Sequence, residues 1–149
     1  MNDGLQDLYR EVILDHNRRP RNFRVIEGGV KQEGYNPLCG DRVVVYMALD
    51  GGVVRDVAFE GQGCAIAKAS ASLMTEALRG LTVEEARTRF TQFQAMVTSA
   101  HDEPPADLGK LSVLAGVREF PTRIKCASLA WHAAKAVLDG APAVPVSTE

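Results

Sequence analysis

Residues 43 to 64 constrain the fold more than any other stretch. Val43-Val44-Val45-Tyr46-Met47-Ala48-Leu49 has the composition and length of a buried strand. Asp50-Gly51-Gly52 is turn chemistry, and Val53 to Phe59 returns with Val53, Val57 and Phe59 on one face. The predicted hairpin has Cys39 just before its outgoing strand and Cys64 just after its returning one, 25 residues later. Antiparallel pairing therefore carries both thiols to one end of the sheet. A fold that keeps this hairpin has two of the chain's three cysteines side by side.

The third, Cys126, also falls at a break between loop and helix. Gly61-Gln62-Gly63-Cys64 leads into a run of small residues that opens a helix, so Cys64 meets free backbone N–H groups and the positive end of the macrodipole. Cys126 is expected near another helix start and follows Lys125; both features favour a lowered thiol pKa. Asp41 lies two residues after Cys39, where extended chain points both side chains one way. Alone it reads as an Asx-type turn at a strand start; beside three thiols it reads as a ligand. Three thiolates and a carboxylate suit a four-coordinate zinc or one side of an iron–sulfur cluster. Spacing by itself leaves open three buried small hydrophobes.

An odd set of cysteines without C-x-x-C, behind an N-terminus (Met1-Asn2-Asp3-Gly4) lacking basic and apolar signal regions, points to reduced thiols in the cytoplasm. No stretch approaches the ~18 apolar residues of a membrane span. A net charge of −2 supplies no field that draws nucleic acid or an acidic membrane. The local cluster Arg18-Arg19-Pro20-Arg21 reads as a solvated complement to a helix C-terminus, with protein docking as the minority alternative.

The remaining elements follow from periodicity. Leu5, Leu8, Tyr9, Val12 and Ile13 make an amphipathic helix ending before Pro20, with His16 as a boundary residue. Ile66, Ala69, Leu73 and Ala77 form the buried stripe of the helix after Cys64, with Gly80 as its stop. Thr82 and Glu85 form a capping box ahead of a helix buried through Ala86, Phe90, Phe93 and Val97. A short helix is expected from Asp107 to Leu114, after an exposed loop carrying His101 and Asp102. Pro121 opens the last helix, packed through Ala127, Ala130, Trp131, Ala134, Val137 and Leu138. One domain, residues 1–140, and a flexible tail, residues 141–149, are expected.

Leu8-Tyr9-Arg10-Glu11, Asp15-His16, Pro20-Arg21-Asn22 and Asn36-Pro37-Leu38-Cys39-Gly40-Asp41 resemble the U-type iron–sulfur cluster assembly family, to which IscU and NifU N-terminal domains belong. Gly61-Gln62-Gly63-Cys64-Ala65-Ile66, Ala69-Ser70-Ala71-Ser72-Leu73-Met74 and Arg123-Ile124-Lys125-Cys126 extend the match over nearly the whole chain. Three features resemble its SufU branch. Cys126 follows Cys64 by 62 residues, a wider gap than the IscU branch uses; Lys125 replaces a histidine; and Phe120-Pro121-Thr122-Arg123 stands where IscU carries a chaperone-read Leu-Pro-Pro-Val-Lys.

The resemblance implies an α+β fold, a small antiparallel three-stranded sheet packed against about five helices. It implies zinc held by Cys39, Asp41, Cys64 and Cys126. It also implies a sulfurtransferase-like role, with Cys39 accepting persulfide sulfur from a PLP-dependent, SufS-like cysteine desulfurase and relaying it to a downstream cluster assembly complex. Arg123 and Lys125 are candidates to stabilise anionic sulfur. The alternatives are a scaffold that takes a [2Fe-2S] cluster or iron on Cys39, Cys64 and Cys126, and a zinc-stapled interaction domain without sulfur chemistry.

Overall fold

The computed structural model describes residues 2–37, 40–98, 111, 114–115, 117, 120–140 and 146–147, with backbone alone for 2–9 and 146–147. The elements run α1 (Asn2–Arg18), β1 (Val30–Asn36), β2 (Asp41–Asp50), β3 (Val53–Gln62), α2 (Ala65–Leu78), α3 (Val83–Thr98), α4 (Pro121–Leu138) and β4 (Val146–Ser147). The sheet order is β3-β2-β1-β4. The first three strands are antiparallel, and β4 pairs parallel with β1 at Gly34 and Tyr35. The α+β fold and its three antiparallel strands are as expected. The helix count is four among the described residues rather than about five, because most of the expected helix from Asp107 to Leu114 lies outside them, as do His101 and Asp102. Leu111 and Leu114 are described, and both are buried in the core. Val146 and Ser147 belong to the segment expected to be a tail.

The central hairpin forms where its pattern places it, with one correction: a register shift between Ala48 and Leu49 leaves Val53 exposed and turns Val54 inward instead. Val43, Val45 and Met47 face the helices together with Val57 and Phe59, and Asp50 and Val53 close the turn through Gly51 and Gly52, both at positive φ. β1 is less obvious because Val30–Asn36 is mostly polar, yet its burial alternates, with Gln32, Gly34 and Asn36 inward. Gly34 lets α4 approach closely: a Cβ there would lie 3.2 Å from Leu129 Cδ1.

The helices cover one face. Phe93 of α3 stacks on Trp131 of α4 with ring centroids 4.2 Å apart. The capping box at α3 forms in both directions, Glu85 N–H to Thr82 Oγ1 and Thr82 N–H to Glu85 Oε1. Gly80, at φ +88°, stops α2 as expected. The basic cluster after α1 folds back on that helix, where Arg19 and Arg21 share the carboxylate of Asp15 at 2.9 and 2.7 Å.

α2 is held by its own small polar residues. Ser70 Oγ donates to the Ala127 carbonyl at 2.6 Å and accepts from Trp131 Nε1 at 3.1 Å, tying α2 to α4. Ser72 Oγ lies 2.7 Å from His16 Nδ1 and accepts the Arg21 N–H at 2.8 Å, tying α2 to the end of α1. His16 is therefore a buried, hydrogen-bonded residue and not the boundary residue that helical periodicity suggests. Its partner supplies polarity that hydropathy cannot register.

Candidate metal centre

Three elements deliver one donor each to the same point. Asp41 is the first residue of β2, paired with Asn36 of β1, and its inward side chain is buried. Cys64 is the N-cap of α2, exposed, with its sulfur accepting the Ala67 N–H at 3.4 Å. Cys126 sits in the second turn of α4 and is buried. A carboxylate oxygen of Asp41 and the two sulfurs all lie within 4.8 Å of one another.

The glycines before Cys64 make this approach possible. Gly61, at φ +150°, lies opposite Val43, and a Cβ there would strike the Arg42 carbonyl and come within 2.8 Å of Val43 Cα. At Gly63 a Cβ would lie 2.6 Å from Asp41 Oδ1. That carboxylate is fixed from the same side. Oδ1 accepts the Cys64 backbone N–H at 3.0 Å, and Oδ2 faces Cys64 Sγ at 3.9 Å. One oxygen of Asp41 is thus used for orientation and the other is presented to the thiols. The Asx-turn alternative is not what forms: the carboxylate reaches across to the opposite strand's exit.

The two thiols divide their protons unequally. A hydrogen bond donated by Cys126 lowers Cys64 to about 6, aided by the Ala67 and Ile66 N–H groups and opposed by burial and the charge of Asp41. The same bond, with burial and Asp41, raises Cys126. The expectation that both thiols are lowered is corrected for Cys126. It is buried beside a thiolate and a carboxylate, and it serves as the donor that stabilises its neighbour.

Zinc fits this donor set. Zn–S and Zn–O bonds of about 2.3 and 2.0 Å in a tetrahedron place donors roughly 3.5–3.8 Å apart. The observed Cys64–Asp41 separation of 3.9 Å is close to that. Two soft thiols and one carboxylate leave a fourth position, which a further thiolate would complete.

Cys39 lies outside the described residues. Of the described residues on either side of it, Gly40 N–H donates to the Asn36 carbonyl at 2.8 Å and Asn36 pairs with Asp41. Arg123 is exposed at the start of α4, its guanidinium 4.5 Å above the Phe120 ring. Lys125 is half-buried next to Cys126. Neither is one of the gathered donors. Gly63 leaves room for the Asp41 carboxylate, and Ser70 with Trp131 ties α2, capped by Cys64, to α4, which carries Cys126; none of the three is marked as a site residue by the sequence. The sequence signal for Gly63 is its place directly before a thiol that must meet a carboxylate.

Residues 8–127 match the NifU-like N terminal domain family, and the chain belongs to that family of U-type proteins. It is 45% identical over 132 residues to the zinc-dependent sulfurtransferase SufU of Bacillus subtilis strain 168, covering 89% of this chain and 90% of the relative. It is 40% identical over 131 residues to the iron–sulfur cluster assembly scaffold protein IscU of Streptococcus pyogenes serotype M1, covering 88% and 82%. Among solved structures it resembles an iron–sulfur cluster assembly scaffold protein for the SUF system from Fervidobacterium islandicum AW-1. That likeness has a TM-score of 0.80, 33% identity and coverage of 89% of this chain and 97% of that one. No helix among the described residues is long and apolar enough to cross a membrane.

Proposed function

We propose that this protein acts in iron–sulfur cluster assembly as a zinc-dependent acceptor of persulfide sulfur from a PLP-dependent, SufS-like cysteine desulfurase. The observation that carries the reading is the convergence of Asp41, Cys64 and Cys126 within 4.8 Å, two residues along the chain from Cys39. Identity to a zinc-dependent sulfurtransferase over nearly the full chain supports it.

Cys64 and Cys126 hold the metal, Asp41 completes the set with the oxygen not used by the Cys64 N–H, and Cys39 is the fourth ligand and the acceptor. Bound zinc supplies the positive charge that keeps these thiols deprotonated at neutral pH. Released from the metal set when the partner supplies a replacement ligand, the Cys39 thiolate would attack the outer sulfur of the desulfurase's persulfide. A new S–S bond forms at Cys39, the persulfide bond breaks, and the electron pair leaves on the desulfurase's cysteine as thiolate. Arg123 and Lys125 are proposed to stabilise the anionic sulfur before it passes to the downstream assembly machinery. A cytoplasmic setting, where thiols stay reduced, goes with this role.

Scaffolding is the second reading, favoured by the similarity to IscU of Streptococcus pyogenes. There the same thiols would carry a [2Fe-2S] cluster as cargo. Metal content measured together with desulfurase turnover, on the parent and a Cys39→Ala variant, tests the two. One tightly bound zinc per chain, with stimulation lost in the variant, supports the sulfur relay. Bound iron and sulfide, with no effect on turnover, supports the scaffold and overturns the relay.

A further inference from the structure

The two gathered thiols differ in a way that holding a metal does not require. Cys64 is exposed, whereas Cys126 is 4% exposed. Their sulfurs lie within 4.8 Å of each other, and the Cys126 thiol donates its hydrogen bond to Cys64. An oxidant arriving from solvent therefore reaches one sulfur and not the other, and the sheltered sulfur already faces the one that reacts. The closeness of the pair rests on protein contacts alone. Ser70, on the same helix as Cys64, donates through Oγ to the carbonyl of Ala127, the residue after Cys126, at 2.6 Å. Trp131 Nε1 donates to the same hydroxyl at 3.1 Å, and all three residues are buried. On the other side Asp41 Oδ1 holds the Cys64 N–H at 3.0 Å. The sulfurs are at most about 2.8 Å farther apart than a disulfide bond of about 2.0 Å.

We propose that Cys64 and Cys126 form a reversible disulfide under hydrogen peroxide when no metal is bound, a redox lock that excludes zinc and so shuts off sulfur acceptance. The Cys64 sulfur attacks one oxygen of the peroxide. The O–O bond breaks, the departing oxygen leaves as water with the thiol proton, and Cys64 becomes a sulfenic acid. The Cys126 sulfur then attacks the Cys64 sulfur. The S–S bond forms, the S–O bond breaks, and the hydroxyl takes the Cys126 proton and leaves as a second water. Two thiols lose two electrons, and one peroxide gains them. The buried partner thus stops the oxidation at a reversible stage, before more peroxide carries Cys64 to sulfinic acid. A sulfur whose electron pair is shared with zinc attacks peroxide slowly, so loading and locking exclude each other. The effect on sulfur acceptance rests on the proposed function; the disulfide itself does not.

The test treats the full chain, metal-stripped and zinc-loaded, with a small excess of hydrogen peroxide and then alkylates the remaining thiols. Trypsin places Cys39, Cys64 and Cys126 on separate peptides, 32–42, 56–68 and 126–135, so mass spectrometry distinguishes every linkage. The metal-stripped chain is expected to give an intramolecular Cys64–Cys126 pair with Cys39 alkylated, to lose zinc uptake, and to regain it with a dithiol reductant. The zinc-loaded chain should react roughly tenfold more slowly, because the free thiolate is the nucleophile. Cys126→Ser should leave Cys64 as a sulfenic acid that a dimedone probe captures. Cys39→Ala should form the same disulfide as the parent, so a failure of the sulfur relay with the lock intact falls on the proposed function alone. A predominant linkage through Cys39, a linkage between chains, or Cys64 carried to sulfinic acid in the parent overturns the proposal. Equal rates for the stripped and loaded chains, or undiminished zinc uptake by the disulfide form, overturn it equally.

Discussion

Gly63→Ala tests the site through a single methyl group. Gly63 has no positive φ to defend, so the substitution asks only whether there is room. An added Cβ lies 2.6 Å from Asp41 Oδ1, 3.0 Å from its Cγ and 3.2 Å from its Cβ. Reaching the ~3.3 Å of a close C–H···O contact requires Oδ1 to retreat by roughly 0.7 Å. Asp41 is buried, so the carboxylate must turn instead of withdrawing into solvent. Turning breaks or stretches the 3.0 Å bond from the Cys64 N–H and swings Oδ2 away from the thiols. A hydrogen bond to a charged group contributes about 1.5–3 kcal/mol. Loss of an orienting partner costs roughly 10–100-fold in metal affinity. Zinc affinity by chelator competition should therefore fall about 10–100-fold, while Gln62→Ala, at an exposed neighbour, should leave it unchanged. A Gly63→Ala protein that folds and binds zinc within about threefold of the parent, a difference of roughly 0.7 kcal/mol, would refute the orientation argument.

Four further outcomes are expected. Asp41→Ala should lower zinc affinity more than Gly63→Ala and reduce sulfur acceptance, checked by chelator competition and desulfurase turnover. In metal-stripped protein, alkylation of Cys64 should rise with pH through a midpoint near 6 and level off above it, because the reactive thiolate is the form the Cys126 hydrogen bond stabilises; a midpoint at the ordinary thiol value would contradict that bond. Ser70→Ala removes the acceptor of the buried Trp131 N–H and should cost about 1–3 kcal/mol in urea unfolding. Thr82→Ala should cost about 1 kcal/mol through the lost cap, with zinc affinity unchanged.

The parts of the fold that follow from hydrophobic period were legible in the sequence. The hairpin of β2 and β3, the capping box at Thr82 and Glu85, the glycine stop at Gly80 and the proline start at Pro121 all rest on local rules. Those rules suffice to bring Cys64 to a helix N-terminus beside Asp41. What hydropathy could not show was polar and non-local. β1 is a strand whose inward residues are Gln32, Gly34 and Asn36, so no apolar alternation marks it. His16 is buried only because Ser72, 56 residues away, meets its ring. For Cys126 the sequence points the wrong way, because its neighbours in space, Cys64 and Asp41, together with burial outweigh the cation next to it in sequence. Pairing of β4 with β1 joins residues over a hundred positions apart, and no spacing rule reaches that far.

The most direct test of the account is where the sulfur lands. The zinc-loaded protein would be incubated with desulfurase and cysteine, its free thiols blocked, and its peptides mapped by mass spectrometry. The account predicts one extra sulfur on the peptide carrying Cys39, with Cys64 and Cys126 unmodified, and a smaller such adduct with Asp41→Ala. Extra sulfur on Cys64 or Cys126 in place of Cys39, or none on any of the three while the desulfurase is active, would contradict it.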